Sequence, residues 1–195
     1  LHPHHVMHCT IRWSSFAFSL ELERRVGNWW IDAAGRYTYF DRMFAMFRRL
    51  GIMDLRLDYR FYDIQSGAGW TDGRDTVRAS VYAGRDDMDM DPTTIDWGNY
   101  AVPVNWSKAL SDDFRLRGSL SWSWFDQTFT VADLETMGNS VQDIKMRQEM
   151  SWRSAWNSTF LAGGEATRIR SRLTSRDLTD GSVESARPDP VWLWE

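Results

Sequence analysis

Residues 114–125 read FRLRGSLSWSWF, and this stretch decides the fold class. Its even positions from 114 to 124 are apolar or glycine, whereas its odd positions from 115 to 123 are arginine or serine. Successive side chains of a β-strand point to opposite faces, so a strand separates the two sets, while a helix scatters both around its axis. The stretch is therefore predicted to be a strand with one apolar and one polar face.

The same alternation recurs along most of the chain, which predicts about eight strands in all. The other seven apolar rows lie in Phe16–Leu22, Trp29–Tyr39, Leu55–Trp70, Val77–Ala83, Tyr100–Trp106, Ile144–Trp152 and Phe160–Ala166. In the third of these rows the apolar parity changes near Phe61 and Tyr62. A β-bulge explains such a change, but we favour a first part that lies in a loop projecting from a membrane.

The connections between these rows alternate in length. Short ones, such as Asp72–Asp75 with its Asp-Gly hairpin signal, separate longer ones at about 41–51, 87–96, 131–143 and 171–190. The first long connection is predicted to hold a helical turn within 44–50. Tight turns on one side and long loops on the other are typical of outer-membrane barrels. The prediction is an all-β, antiparallel up-and-down meander, a segment of a transmembrane β-barrel, in the form of an open curved sheet or a partial barrel.

Composition excludes several other classes of protein. The 195 residues carry a net charge of -4, which gives no electrostatic basis for binding nucleic acid. One cysteine rules out a disulfide framework. No stretch approaches the ~20 apolar residues of a membrane-spanning helix. Twelve tryptophans suit the aromatic girdles of a membrane barrel, for which seven are candidates. These candidates are Trp70, Trp97, Trp106, Trp122, Trp124, Trp152 and Trp156.

Several stretches resemble the barrel of TonB-dependent outer-membrane receptors. The first, 62–65 followed by 72–87, is similar to the Phe-Tyr-Asp strand start, the charged turn and the Gly-Arg-Asp strand end that many members of that family carry. The second, Trp97–Ser107, is similar to its Trp-Gly-Asn strand and is followed by a Ser-Asp turn. The third, Gly27–Asp41, resembles the strand pair that follows the plug domain. The resemblance spans about residues 12–170, and it is carried by the order and spacing of these motifs.

The resemblance implies a part in the energised uptake of a scarce ligand: a siderophore, vitamin, carbohydrate or peptide. It further implies the TonB complex and outer-membrane lipid as partners, the cell outer membrane as location, and no enzymatic activity. Because no plug-like segment, signal peptide or TonB box is seen, we expect a barrel segment only. Residues 1–195 are expected to form a single β-barrel segment, with 1–10 as a disordered tail and 173–195 as a loop or frayed end.

Two other functions stay open on the sequence. One is an autonomous eight-stranded outer-membrane barrel with a structural or adhesive role, which requires the first and last strands to pair. The other is a soluble β-sandwich or lipocalin-like binding protein, which requires the apolar rows to pack in a dry interior. Both differ from the receptor segment in where the apolar side chains lie.

Two clusters of potential metal ligands are more simply explained as solvated surface, and no catalytic, cofactor-binding or metal-binding residue is assigned. The first cluster is His2, His4, His5, His8 and Cys9, whose spacing matches no structural zinc pattern. The second is Asp86, Asp87, Asp89 and Asp91, which lack the glycine and distal glutamate of a calcium-binding loop. No cofactor is expected. Six arginines are expected to line the barrel interior and pair with acidic residues there: Arg36, Arg78, Arg115, Arg117, Arg147 and Arg153.

Overall fold

A computed structural model describes residues 7–14, 17–52, 57–132, 134–154, 156 and 158–194. These residues form eleven strands and one helix, α1, which follows the third strand. The helix covers Phe40–Arg49 and so includes most of the predicted helical turn. The strands are β1 Met7–Trp13, β2 Ala17–Val26, β3 Trp29–Thr38, β4 Asp58–Thr71, β5 Thr76–Met90, β6 Thr93–Ala109, β7 Phe114–Val131, β8 Glu135–Arg153, β9 Thr159–Asp177, β10 Val183–Ala186 and β11 Val191–Trp194.

All eleven strands belong to one antiparallel sheet. Each strand from β1 to β10 pairs with the next in chain order, and β11 pairs with β9 beside β10. The predicted up-and-down meander is therefore confirmed, and the sheet is open because β1 pairs only with β2 among the described strands. No helix within the described ranges has the length and apolar character to cross a membrane.

The eight strands predicted from the alternation correspond to β2 through β9. Three further strands lie in the parts of the chain expected to be a tail or a loop. Strand β1 occupies 7–13 because its apolar row continues that of β2 across the ladder. Strands β10 and β11 are short and fold back onto the edge of β9.

Two of the predicted long loops are instead strand. Strands β5 and β6 run on to Met90 and Thr93, with two residues between them, and β7 and β8 are separated only by 132–134. The polar residues at the ends of these strands continue the antiparallel pairing, because backbone hydrogen bonds between two strands of a hairpin do not require apolar side chains. On the opposite side the turns are tight, and Gly73 adopts the positive φ of 94° that its hairpin requires.

The two faces of the sheet differ in chemistry along its whole width. One face, called the outer face, carries the apolar rows, and register keeps them aligned from β1 to β9. No apolar side chain in the described part of the chain is buried, and Leu120 and Ile144 are 45% and 42% exposed. A sandwich or lipocalin-like protein would bury these rows, so the soluble alternative lacks the core that it needs.

The outer apolar side chains form a band of limited height. In β5 the band runs from Val77 to Ala83, and Arg85 is the next outer residue toward the long-loop end. Strand β9 makes the same change after Ala166, where Arg168 follows. Pro103 lies on the opposite face of β6 at the height of the band and keeps its pairing with β7, while the ladder toward β5 is interrupted there. This outer band is the part of the surface that suits hydrocarbon.

The change of parity in β4 marks a change of face and not a bulge. Register with β5 is continuous throughout β4, and register with β3 is continuous over 62–70, so no extra residue is inserted. Tyr59 and Phe61 share a face with Asp63, opposite to Tyr62 and Ile64. The favoured interpretation, a projecting loop, is therefore wrong for 58–61, which belong to the strand; residues 53–56 lie outside the described ranges.

Candidate functional site

The face opposite the apolar band, called the inner face, carries a set of ion pairs, most of which join neighbouring strands. Four of the six arginines predicted to pair there do so. Their partners and nitrogen–oxygen distances are Arg36–Asp63 at 2.6 Å, Arg78–Asp32 at 3.4 Å, Arg117–Glu149 at 3.3 Å and Arg147–Glu149 at 3.6 Å. Lys145 adds a pair with Glu165 at 2.7 Å. These partly exposed pairs give a charged wall that suits water and excludes contact with lipid tails.

The Arg36–Asp63 pair is expected to contribute only modestly to stability. Arg36 donates to Asp63 Oδ2 from Nε at 2.9 Å and from Nη2 at 2.6 Å, but its side chain is about half exposed. Water and salt screen such a pair, so a double-mutant cycle with Arg36→Ala and Asp63→Ala should give a coupling free energy of about 0.5–1 kcal/mol that falls with added salt. Urea unfolding in detergent measures it.

The more exposed Arg74–Asp112 pair, at 3.1 Å, is the control for this cycle. Its coupling should be indistinguishable from zero, because both groups remain largely hydrated. A salt-independent coupling for Arg36 and Asp63 would contradict the view that the inner wall faces water.

Aromatic side chains gather at the long-loop end of the inner face. This loop-end cluster consists of Phe40, Tyr59, Phe61, Asp86 and Trp97. The Tyr59 ring contacts the rings of Phe40 and Trp97 at centroid distances of 6.0 and 6.4 Å, and its hydroxyl donates to Asp86 Oδ1 at 2.6 Å. Burial and this hydrogen bond raise the pKa of Tyr59 to about 12, so the hydroxyl stays protonated at neutral pH. The cluster fixes α1 against the sheet.

A polar cavity of about 610 Å³ lies beside α1 and the loop ends of β4 to β6. Five aspartates and three arginines line it: Asp41, Asp58, Asp87, Asp89, Asp96, Arg42, Arg48 and Arg60. Arg48 Nη2 donates to Asp58 at 3.3 Å, whereas Arg48 Nη1 and Asp41 Oδ1 are buried without a partner in the described ranges. The charged lining as a whole suits a polar ligand.

The candidate metal ligands of the sequence are placed apart or lie outside the described residues. His2, His4 and His5 belong to the stretch that the structure does not describe, and His8 and Cys9 lie on β1. Asp87 and Asp89 line the cavity, while Asp86 binds Tyr59 on the inner face. Across the described part of the chain, no three His, Cys, Asp or Glu side chains are grouped so as to hold a metal ion.

Trp97 corrects one part of the aromatic prediction. It stacks on Tyr59 in the loop-end cluster and therefore lies on the inner face, not in a lipid-facing girdle. Its odd position in β6, which it shares with Asn99 and Asn105, is the sequence signal that identifies this face. Trp106, Trp122 and Trp124 occupy the outer face as predicted.

Comparison with solved structures identifies the architecture. The copper transporter OprC superposes with a TM-score of 0.70 at 10% identity, over 91% of this chain and 31% of its own. BauA, the ferric preacinetobactin receptor from Acinetobacter baumannii, gives a TM-score of 0.62 at 11% identity, over 95% of this chain and 35% of its own. This chain thus spans about a third of either neighbour. Neither a protein-family model nor a curated protein matches the sequence.

One of these neighbours is a copper transporter and the other a receptor for a ferric complex. The resemblance seen in the sequence is confirmed for the fold, since both are TonB-dependent receptors. The open sheet, its meander order and its two-faced chemistry agree with that architecture. The chain has the fold of a barrel segment from a TonB-dependent receptor.

Proposed function

We propose that the chain forms part of the barrel wall of an outer-membrane receptor that takes up a scarce ligand with energy supplied through TonB. The observation that carries the proposal is the exposure of the whole apolar face in a sheet whose other face is ion-paired. In water such a face is unstable, and in a bilayer it is the required lipid contact. The open sheet disfavours the autonomous eight-stranded barrel, whose first and last strands must pair.

The cavity beside α1 is proposed to contact the ligand. Its five carboxylates outnumber its three guanidinium groups even when Arg85, which pairs with Asp96 and Asp87, is added to them. The remaining excess of negative charge favours a ligand with positive charge or many hydroxyl donors. Cationic metal complexes and hydroxylated chelates, within the siderophore class, fit this chemistry. One neighbour is a copper transporter and the other a receptor for a ferric complex, which supports the same class.

Labels on adjacent residues of β5 test the membrane placement. In a Cys9→Ser background, Val81→Cys on the outer face and Ser80→Cys on the inner face each receive an environment-sensitive fluorophore. The chain is placed in phosphatidylcholine vesicles that contain nitroxide-labelled acyl chains. We expect blue-shifted emission and strong nitroxide quenching at position 81, with iodide in the water quenching position 80.

The two labelled positions are neighbours in one strand, so each is the control for the other. Equal quenching at both positions, or nitroxide quenching only at position 80, would overturn the membrane placement. A chain that stays monodisperse in water without detergent would oppose it as well, because its apolar band would then be tolerated by water.

Energised uptake is tested in cells that express the full receptor containing this segment. Radiolabelled ferric or cupric complexes should accumulate, and a protonophore should abolish accumulation while leaving surface binding in place. Asp89→Asn in the cavity is expected to weaken binding of a cationic complex several-fold, whereas Asp113→Asn at the opposite end of the sheet should not. Accumulation that persists with the protonophore would disprove the energised step.

A further inference from the structure

A row of arginines continues the outer face of β9 beyond the apolar band. Phe160, Ala162 and Ala166 belong to the band, and Arg168, Arg170 and Arg172 follow them on the same face. Register places Arg168 opposite Ile144 of the band and Arg172 opposite Ser140, which lies past its end. The arginines therefore mark the height at which the surface changes from hydrocarbon to polar surroundings.

The C-terminal segment brings a further arginine to this row. Strand β10 pairs with β9 up to Leu173, and β11 resumes the pairing at Ile169. The connection 187–190 therefore runs along the edge of β9, beside Arg170 and Arg172. Together they line a cavity of about 540 Å³ that also includes Arg187.

The floor of this cavity is aromatic. Trp122 and Trp124 lie on the outer face of β7 and line the cavity with Gln142. The Trp124 ring stacks on Tyr100 with a centroid distance of 5.4 Å, which fixes its plane. An apolar floor beside a cationic rim suits an amphiphile, because acyl chains can lie on the rings while the headgroup reaches the guanidinium groups.

The lining of the cavity carries an excess of positive charge, which favours an anionic ligand. Its lining contains Arg170, Arg172 and Arg187 against the single carboxylate of Asp189. None of the ion pairs among the described residues involves these three arginines. Like charges placed together repel one another unless a counterion lies between them. The excess is local, since the whole chain has a net charge of -4.

We propose that this cavity binds the phosphate headgroup of a membrane lipid, with the acyl chains along Trp122 and Trp124. The guanidinium fork binds phosphate oxygens through charge-assisted hydrogen bonds. The membrane is the favoured source of the phosphate because the cavity opens on the outer face at the edge of the apolar band. The inference rests on the membrane placement proposed above, and it assigns that surface a specific lipid.

Native mass spectrometry of the full chain in a neutral detergent tests the proposal. The probes are short-chain phosphatidate, short-chain phosphatidylcholine and inorganic phosphate. We expect saturable binding of phosphatidate and much weaker binding of the other two. In Arg170→Gln/Arg172→Gln/Arg187→Gln, phosphatidate affinity should fall about a hundredfold, since each arginine near an anionic lipid contributes about fivefold.

Two further variants act as controls. Arg115→Gln/Arg147→Gln/Arg153→Gln removes the same charge from β7 and β8 at odd, inner-face positions and should leave phosphatidate affinity unchanged. Asp189→Asn removes the one carboxylate from the cavity lining and should tighten phosphatidate binding about fivefold. This opposite shift cannot arise from a variant that fails to fold.

Three results would overturn the proposal: equal loss in both triple variants, inorganic phosphate binding as tightly as phosphatidate, or phosphatidylcholine binding as tightly. The label at Val81 lies in the apolar band, away from these arginines, and reports membrane placement independently. If that label is in lipid while the arginine variants bind normally, the lipid site is wrong and the proposed function stands.

Discussion

Replacing Leu120 with arginine should lower the free energy of unfolding in lipid vesicles by about 2–4 kcal/mol. Leu120 lies on the outer face near the middle of the apolar band, beside Val104 and Met146. A guanidinium group at the centre of a bilayer has no water and no partner, and its long side chain is far from either surface. Urea unfolding of the chain in phosphatidylcholine vesicles measures the loss.

Ser121→Arg, one residue along the same strand, is the matched control. Ser121 lies on the inner face opposite Lys145, whose charge already pairs with Glu165. An arginine there stays in water, so the free energy of unfolding should change by less than about 1 kcal/mol. Similar losses at both positions, or a tolerated Leu120→Arg, would mean that the apolar face does not meet lipid.

The second large effect is expected from Gly69→Ala, which should destabilise the chain by about 1–3 kcal/mol. A Cβ added at Gly69 would lie 2.0 Å from Cζ2 of Trp30, because the indole ring covers this glycine. The ring belongs to the neighbouring strand, where register places Trp30 opposite Gly69. The indole must therefore leave its position or the two strands must separate, and urea unfolding in detergent measures the cost.

Two comparisons isolate this contact. Gly35→Ala adds the same methyl group where the nearest atom, the carbonyl oxygen of Asp63, is 3.7 Å away, so it should be nearly neutral. Gly69→Ala in a Trp30→Leu background should lose most of its effect, because the smaller side chain can move aside. A full effect in that background would show that the strain comes from the backbone and not from the indole.

Much of this fold is predictable because alternation is a local property. In a strand such as β7, consecutive side chains alternate between the two faces. The inner position of its arginines and the outer position of Leu120 therefore follow from the sequence. The same rule also applies to β1, where Met7, Cys9, Ile11 and Trp13 alternate with polar residues, although the neighbouring histidines obscure the pattern.

The features that were not predicted depend on contacts between distant residues. Alternation locates the apolar rows, but it does not show that the polar stretches of β5 to β8 continue the ladder past the band. The cavity beside α1 arises because the helix folds back against β4, and its arginine and aspartate side chains come from separate segments. Arg187 lines the same cavity as Arg170 only because β10 and β11 share one edge of β9.

The edge of β1 has a consequence for how such a wall can be completed. Along Met7–Trp13 the backbone groups that point away from β2 have no partner strand among the described residues. Lipid hydrocarbon has no hydrogen-bond partners for these amides and carbonyls. If this edge lies in the membrane, a further β-strand must therefore pair with it. A separately expressed fragment that contains further barrel strands should therefore pair with β1. A receptor expressed as two fragments should reassemble at this edge.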